Sequence, residues 1–449
     1  MNRRGLAAAT LAALLAACAG GRGTTLVPGG TEAAGARQAP SGKIQHVVVI
    51  VQENRSFDNL FHDYPGADTQ SYGYTSTGKK LTLVPITLAT HWDIAHNSAA
   101  YFDACDGTGS VPGTDCRMDG FDKETTTCSV FDPCPNKDPQ YAYVPHGEIK
   151  PYFALANQYV LADRMFASNF DMSSFVSHQY IIAGQANSTV DYPTTGLWGC
   201  DGGPSDTIQT LTQQRTVGPS VPVCFDDQTL GDELDAAGVS WHYYTSNVRK
   251  DGGLWNAYQA IRHIRYGPDW KTDVVAPQTK FFGDVSKGRL PAVSWVTPTC
   301  ANSDHASCGE RHGPAWVASL VNAIGKSPYW NSTAIFIFWD DPGGWYDHVA
   351  PKLVDYDGLG MRVPMLIVSP YAKKGFVSHV HYEHGSILRF IEHQFGVAPL
   401  AATDVRATSP EKDCFDFTQA PRPFTPIPAK LGQAYFEREP LDSRPPDSQ

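Results

Sequence analysis

Four stretches of the chain are apolar at nearly every position: "IQHVVVIVQ", "LPAVSWVTP", "TAIFIFWD" and "VPMLIVSP". A half-exposed strand alternates apolar and polar residues. An unbroken apolar run of this length fits a strand covered on both faces, as in a parallel sheet between helical layers. "SWHYYTS" predicts a further strand. Between them the pattern changes period. "PYFALANQYVLADRMF", "AWVASLVNAI" and "GSILRFIEHQF" place apolar residues at helical spacing, and a helix is expected over each. Strand and helix alternate, which predicts an α/β fold built as a three-layer α/β/α sandwich. Residues 100–145, rich in Gly, Pro, Asp and Cys, predict an irregular, bridged excursion. The Pro-rich stretch after residue 400 predicts an extension that wraps the surface.

The N-terminus breaks this pattern. Arg3 and Arg4 precede "LAAATLAALLAAC", an apolar run of small residues too short to span a bilayer. It reads as a secretory signal. Its end, Leu15 to Cys18, resembles a bacterial lipoprotein signal, in which Cys18 becomes lipidated after cleavage. The expected organisation is a signal peptide over residues 1–17, a flexible tether over 18–42, one domain over 43–400 and a C-terminal extension over 401–449. The protein is then exported, membrane-anchored through Cys18 in the periplasm or outer membrane, or otherwise secreted.

Composition adds two constraints. A net charge of −11 argues against nucleic acid as a partner. Ten cysteines in an exported chain favour disulfides. Local spacing suggests Cys105–Cys116, Cys128–Cys134, Cys200–Cys224 and Cys300–Cys308, with Cys414 left over.

The strand ends carry the candidate chemistry. One strand runs into Glu53 and Asn54, another into Asp340 and Asp341, and a third is followed by Asn302, Asp304 and His305. Ligands of open α/β sheets bind beyond the carboxyl ends of the strands. Three strands would thus bring carboxylates together, where they repel and resist ionising unless a cation neutralises them. Oxygen donors of this kind suit one or more divalent or iron ions. Each aspartate alone would serve equally well as a turn residue or helix cap. Ser173 and Ser174 lie at an expected helix start, where a serine is either a cap or a hydroxyl awaiting activation.

Six ordered motifs then point to a family. They are "QENRSFDNLF", "MDGF", "SFVSHQY", "NSDHAS", "WDDPGGWYDHV" and "GFVSHVHYEHGSILRFIE". Together, over residues 44 to 397, they resemble the bacterial phosphoesterase family of phospholipases C and acid phosphatases, related to the alkaline phosphatase superfamily. The resemblance implies an alkaline-phosphatase-like sandwich that hydrolyses phosphate esters through a serine. It implies Glu53, Asn54, Ser174, Asp340 and Asp341 as metal ligands, and Ser174 also as nucleophile. His305 and His96 would act on the phosphoryl group and the leaving oxygen, with His91 as the alternative to His96. Where the family more often has Gly-Pro before the nucleophile, this chain has Met172-Ser173. His348, beside Asp347, is expected to support the ligands from behind; His379 and His384 are expected to be structural. The implied substrate is a phosphate monoester or a phospholipid, with acid phosphatase slightly preferred because the chain is shorter than the larger phospholipases. A surface lipoprotein that binds a phosphorylated ligand without cleaving it is the reading from another class.

Overall fold

The computed structural model describes residues 42–194, 199–246 and 253–440. The signal, Cys18 and almost all of the tether lie outside them.

A nine-stranded sheet organises the chain. Its strands, in chain order, are β1 (His46–Gln52), β2 (Val160–Phe166), β3 (Trp241–Tyr244), β4 (Val274–Val275), β5 (Val293–Val296), β6 (Thr333–Trp339), β7 (Arg362–Val368), β8 (Phe376–Ser378) and β9 (Tyr382–Glu383). The spatial order is β4-β3-β5-β1-β6-β7-β2-β8, with β9 also paired to β2. β1 lies in the middle, parallel to β5 on one side and to β6 on the other.

The layering follows from the pleat. Side chains along β6 alternate between faces. Phe336 and Phe338 pack against Phe390 and His384 of the helix His384–Phe395. Trp339, an odd-numbered neighbour, packs against Tyr152 of the helix Lys150–Gln158. Both faces of β6 are therefore covered, and all seven of its residues are buried. Each large side chain so buried contributes roughly 1.5–3 kcal/mol. Phe415, Ile427 and Phe436 join the same core from the last described stretch.

Two expectations are corrected. The helix over "PYFALANQYVLADRMF" ends at Gln158, and the second half is strand β2. Once Tyr159 leaves the helical conformation, β2 pairs with β7 and β8, and that pairing overrides the local periodicity. The strand in "VPMLIVSP" runs antiparallel to β6 and to β2, so the sheet is mixed. Residues 340–361 return along the carboxyl edge without a crossover helix, which reverses the next strand. Arg362, at its start, therefore lies at the same edge as the ends of β1 and β6.

All four expected disulfides are present, and Cys414 is free and buried. The excursion after residue 100 is held by two of them; the helix Ser98–Cys105 leads into it, and a single 3-10 turn follows at Phe121–Lys123.

Candidate active site

Beyond the carboxyl edge, the end of β1 spends its polar residues one by one. Glu53 and Asn54 turn inward. Arg55 is buried, with Nε donating to the Asp304 carbonyl at 2.7 Å and Nη2 to the Leu88 carbonyl at 3.0 Å, and its guanidinium lies over Trp345. It ties the loop after β5 to β1, while burial pulls its pKa down to about 10. Ser56 caps the next helix by accepting from Asn59 N–H. Asn59 in turn donates to the Ala142 carbonyl.

The first cluster joins β1, β6 and the helix Ser174–Ala183. Asn54 Nδ2 donates to Ser174 Oγ and to Asp341 Oδ2, each at 3.1 Å. Ser174 Oγ donates to Asp341 Oδ2 at 3.2 Å, and Asn54 N–H to Asp340 Oδ1 at 3.2 Å. Glu53, Asn54, Ser174, Asp340 and Asp341 are all buried. Ser174 is not the helix cap: Ser173 holds that position, and its side chain makes no capping bond. Asp341 does double duty, since its Oδ1 accepts from Gly343 N–H in the turn that follows. That turn needs glycine, because a Cβ at Gly343 would stand 2.4 Å from the Asn54 carbonyl oxygen. Asn54 and Met172 both have left-handed backbones, with φ of 54° and 55°. Asparagine tolerates this conformation, whereas methionine does so at a cost of order 1–3 kcal/mol, characteristic of strain held at functional sites. Position 172 is where glycine would adopt the same turn freely.

His178 belongs to this cluster and was not foreseen. It lies one turn after Ser174 on the same helix, fully buried, with Nε2 3.1 Å from Glu53 Oε1 and 3.7 Å from Asp340 Oδ2. The i, i+4 spacing from Ser174 was the available signal.

The second cluster holds Asp93, His96 and His305. Their ligand atoms lie within 4.8 Å of one another, and the imidazole centroids are 5.4 Å apart. His96 Nδ1 lies 2.7 Å from the Ile94 carbonyl, and His305 Nδ1 contacts the Ala306 carbonyl. Each carbonyl fixes a proton on Nδ1 and so orients the ring. Tyr192 links the clusters: its hydroxyl accepts from Ser174 N–H at 3.4 Å and donates to the His96 carbonyl at 3.1 Å. Asp304 lies behind, held by Tyr152 Oη and Trp339 Nε1, and burial pushes it up to about 6.

A cation fits the first cluster. Asn54 Oδ1 is buried and accepts no hydrogen bond. Burial, followed by the charge of Glu53, pushes Asp340 up to about 8. A divalent ion would relieve both penalties. Glu53, His178 and Asp340 also meet the spacing of a metal-holding group.

His348 sits in a separate ionic network. Its Nδ1 is 2.6 Å from Asp58 and its Nε2 3.0 Å from Asp68. Arg362 Nε bonds both oxygens of Asp347, and its Nη2 bonds Asp58. The network braces the segment after Asn54 instead of touching the cluster itself. Burial alone would lower the His348 pKa, but the hydrogen bond and charge of Asp58, then Asp347, hold it above the usual value. Stability from this group is thus complete below about pH 6.5 and is lost as pH rises through the raised value. His348→Gln is expected to flatten the fall in urea midpoint as pH rises above about 6.5; an unchanged slope would refute the assignment. His379 pairs with Asp163, and His384 is buried, its pKa lowered by burial to about 3.

A helix-covered sheet with an oxygen-rich cluster and a buried serine beyond its carboxyl edge defines an α/β protein of the strand-end-site class. Within that class the chain belongs to the Phosphoesterase family, whose model matches residues 44–398. It is 25% identical to the hemolytic phospholipase C of Pseudomonas aeruginosa, over 79% of this chain and 53% of that one. It is likewise 25% identical to the non-specific phospholipase C1 of Arabidopsis thaliana, over 90% and 76%. It also aligns with a solved protein of the alkaline phosphatase superfamily from Vibrio parahaemolyticus at 11% identity and a TM-score of 0.36, over 84% and 74%. The chain spans little more than half the length of the Pseudomonas relatives. Among the described residues no helix is long and apolar enough to cross a membrane.

Proposed function

We propose that the protein hydrolyses phosphate esters, with Ser174 as nucleophile. The observation that carries this reading is the buried hydroxyl of Ser174, hydrogen-bonded to both Asn54 and Asp341 where carboxylates from two strands converge. Glu53, Asn54, Asp340, Asp341 and the Ser174 hydroxyl would hold a divalent or iron cation, which when bound neutralises phosphoryl charge and eases loss of the serine proton.

Ser174 passes its proton along the bond to Asp341 as Oγ forms a bond to phosphorus. The bond from phosphorus to the leaving oxygen breaks, and His305 or His96, acting as the imidazolium with Nδ1–H held by its carbonyl, gives its Nε2 proton to that oxygen. Water then attacks the phosphoserine, losing a proton to the same histidine as the bond from phosphorus to Oγ breaks; Asp341 returns the serine proton to Oγ, and phosphate or a phosphorylated headgroup is released. His178 positions Glu53 and Asp340 throughout.

The broad reading is a phosphatase or general phosphoesterase. The names of the relatives favour a second one, a phospholipase C that cleaves phospholipid diesters. Rates on p-nitrophenyl phosphate and p-nitrophenylphosphorylcholine separate them. Faster monoester cleavage supports a phosphatase, and faster diester cleavage supports the phospholipase. Failure on both, with retained binding of a phosphate analogue, would sink hydrolysis and leave a binding protein. Export and anchoring through a lipidated Cys18 belong to the same proposal, and radiolabelled palmitate incorporation checks the latter.

A further inference from the structure

Among the described residues, the two most exposed large apolar side chains are neighbours. Val130 and Phe131 are each 89% exposed, whereas every other exposed large apolar residue is at 61% or below. They occupy the apex of the loop closed by Cys128–Cys134. Isolated exposed apolar residues need no explanation, but an adjacent pair at the tip of a built loop does.

The loop is built. Ser129 N–H donates to the Asp132 carbonyl at 3.0 Å. Ser129 Oγ accepts from Phe131 N–H at 3.2 Å and from Asp132 N–H at 3.1 Å. These bonds hold the turn that carries both side chains, and the disulfide closes its base. Cys128 and Cys134 pack against a small core of Ile86, Trp92, Ile94, Ala142, Ala306 and Trp345.

The base is joined to the candidate active site. Ala95 N–H donates to the Thr125 carbonyl at 2.9 Å, and Thr127 N–H to the Asp93 carbonyl at 3.0 Å. Thr127 Oγ1 accepts from Asp93 N–H at 2.8 Å. The segment that carries Asp93 and His96 thus pairs with the segment that leads into the loop. Ala306, in the same small core, follows His305 directly.

We propose that Val130 and Phe131 form an interfacial wedge that enters a zwitterionic lipid surface and seats the protein with its histidine pair beside that surface. A stable protein partner needs about 800 Å² on each side, far more than two side chains cover. A lipid interface accepts a wedge of a few apolar groups. Charge decides the lipid class. Between Cys128 and Asp138 the loop carries Asp132, Lys137 and Asp138, one cation against two anions, in a chain of net charge −11. An anionic bilayer repels such a surface, and a zwitterionic one does not. The inference goes beyond the hydrolytic reading and rests on it only for the meaning of the docked position.

The test uses the mature chain from residue 18 carrying Cys18→Ser, so that neither the apolar signal nor an acyl anchor contributes. Sedimentation with phosphatidylcholine vesicles is measured for this protein and for the same chain with Val130→Ser and Phe131→Ser. The expected result is a partition coefficient lower by about tenfold or more in the double variant, with an unchanged rate on soluble p-nitrophenyl phosphate. Equal partitioning of the two chains overturns the wedge, as does absence of binding by the parent chain. Tighter binding to phosphatidylglycerol vesicles overturns the zwitterionic assignment. Concentration-dependent dimerisation that the double variant abolishes, without a change in vesicle binding, assigns the tip to a second copy instead. Ser174→Ala is expected to bind vesicles as the parent does. Loss of all ester hydrolysis with intact partitioning would therefore remove the hydrolase reading and leave the wedge standing.

Discussion

Ser174→Ala is expected to lower the turnover of whichever ester proves best by on the order of 10³-fold or more, the scale seen when a serine nucleophile is removed from an intact site. The fold should survive. The side chain is small and its loss leaves almost no cavity, so the cost is that of the bonds to Asn54 and Asp341, each worth about 1 kcal/mol. The measurement is kcat beside the denaturation midpoint. Near-parental turnover with an unchanged midpoint would remove Ser174 from the chemistry, and Ser173→Ala, whose hydroxyl donates to Asp171 at 2.9 Å, is the matching control.

The second large effect is expected from the cation. Exhaustive chelation should abolish hydrolysis and lower thermal stability, because an ion that binds only the folded chain stabilises it by about 2.7 kcal/mol at a hundred times its dissociation constant. Readdition of divalent ions singly should restore both, with one ion restoring activity best. Asp340→Asn should lose metal affinity by far more than His178→Gln, which keeps a polar partner for Glu53. His178→Ala lies between them, at about 10–100-fold weaker binding. Calorimetric titration of the metal reads this without reference to turnover. If the chelated protein keeps full activity and midpoint, the cluster is not a metal site.

The parts of this site that can be read from the chain are those that follow a rule of position. Glu53, Asn54, Asp340 and Asp341 stand where apolar runs stop, and an open sheet places such residues at one edge. The four disulfides were legible for a similar reason, since each joins two cysteines that follow one another in chain order, 6 to 24 residues apart. His178 offered only its i, i+4 spacing from Ser174, a weak signal because a single histidine inside an apolar helix is usually a satisfied core residue. Only the folded contact with Glu53 distinguishes it. Tyr192 lies in a loop that no periodicity marks, yet it joins the nucleophile's backbone to His96. Strand direction was hidden too. The local pattern of β7 is that of its parallel neighbours, and only the path of residues 340–361 reverses it. β2 was misread because its apolar positions continue those of the preceding helix, and only pairing with β7 and β8 settles which conformation prevails.

The placement of β1 bears on how the molecule is made. This strand is synthesised early, yet both of its neighbours, Val293–Val296 and Thr333–Trp339, come from far downstream. A growing polypeptide therefore carries its stickiest segment unmatched for most of translation, and Glu53 cannot meet Asp340 until that wait is over. The cluster at the carboxyl edge would therefore assemble late and all at once, when Thr333–Trp339 pairs with β1 and brings Asp340 to Glu53.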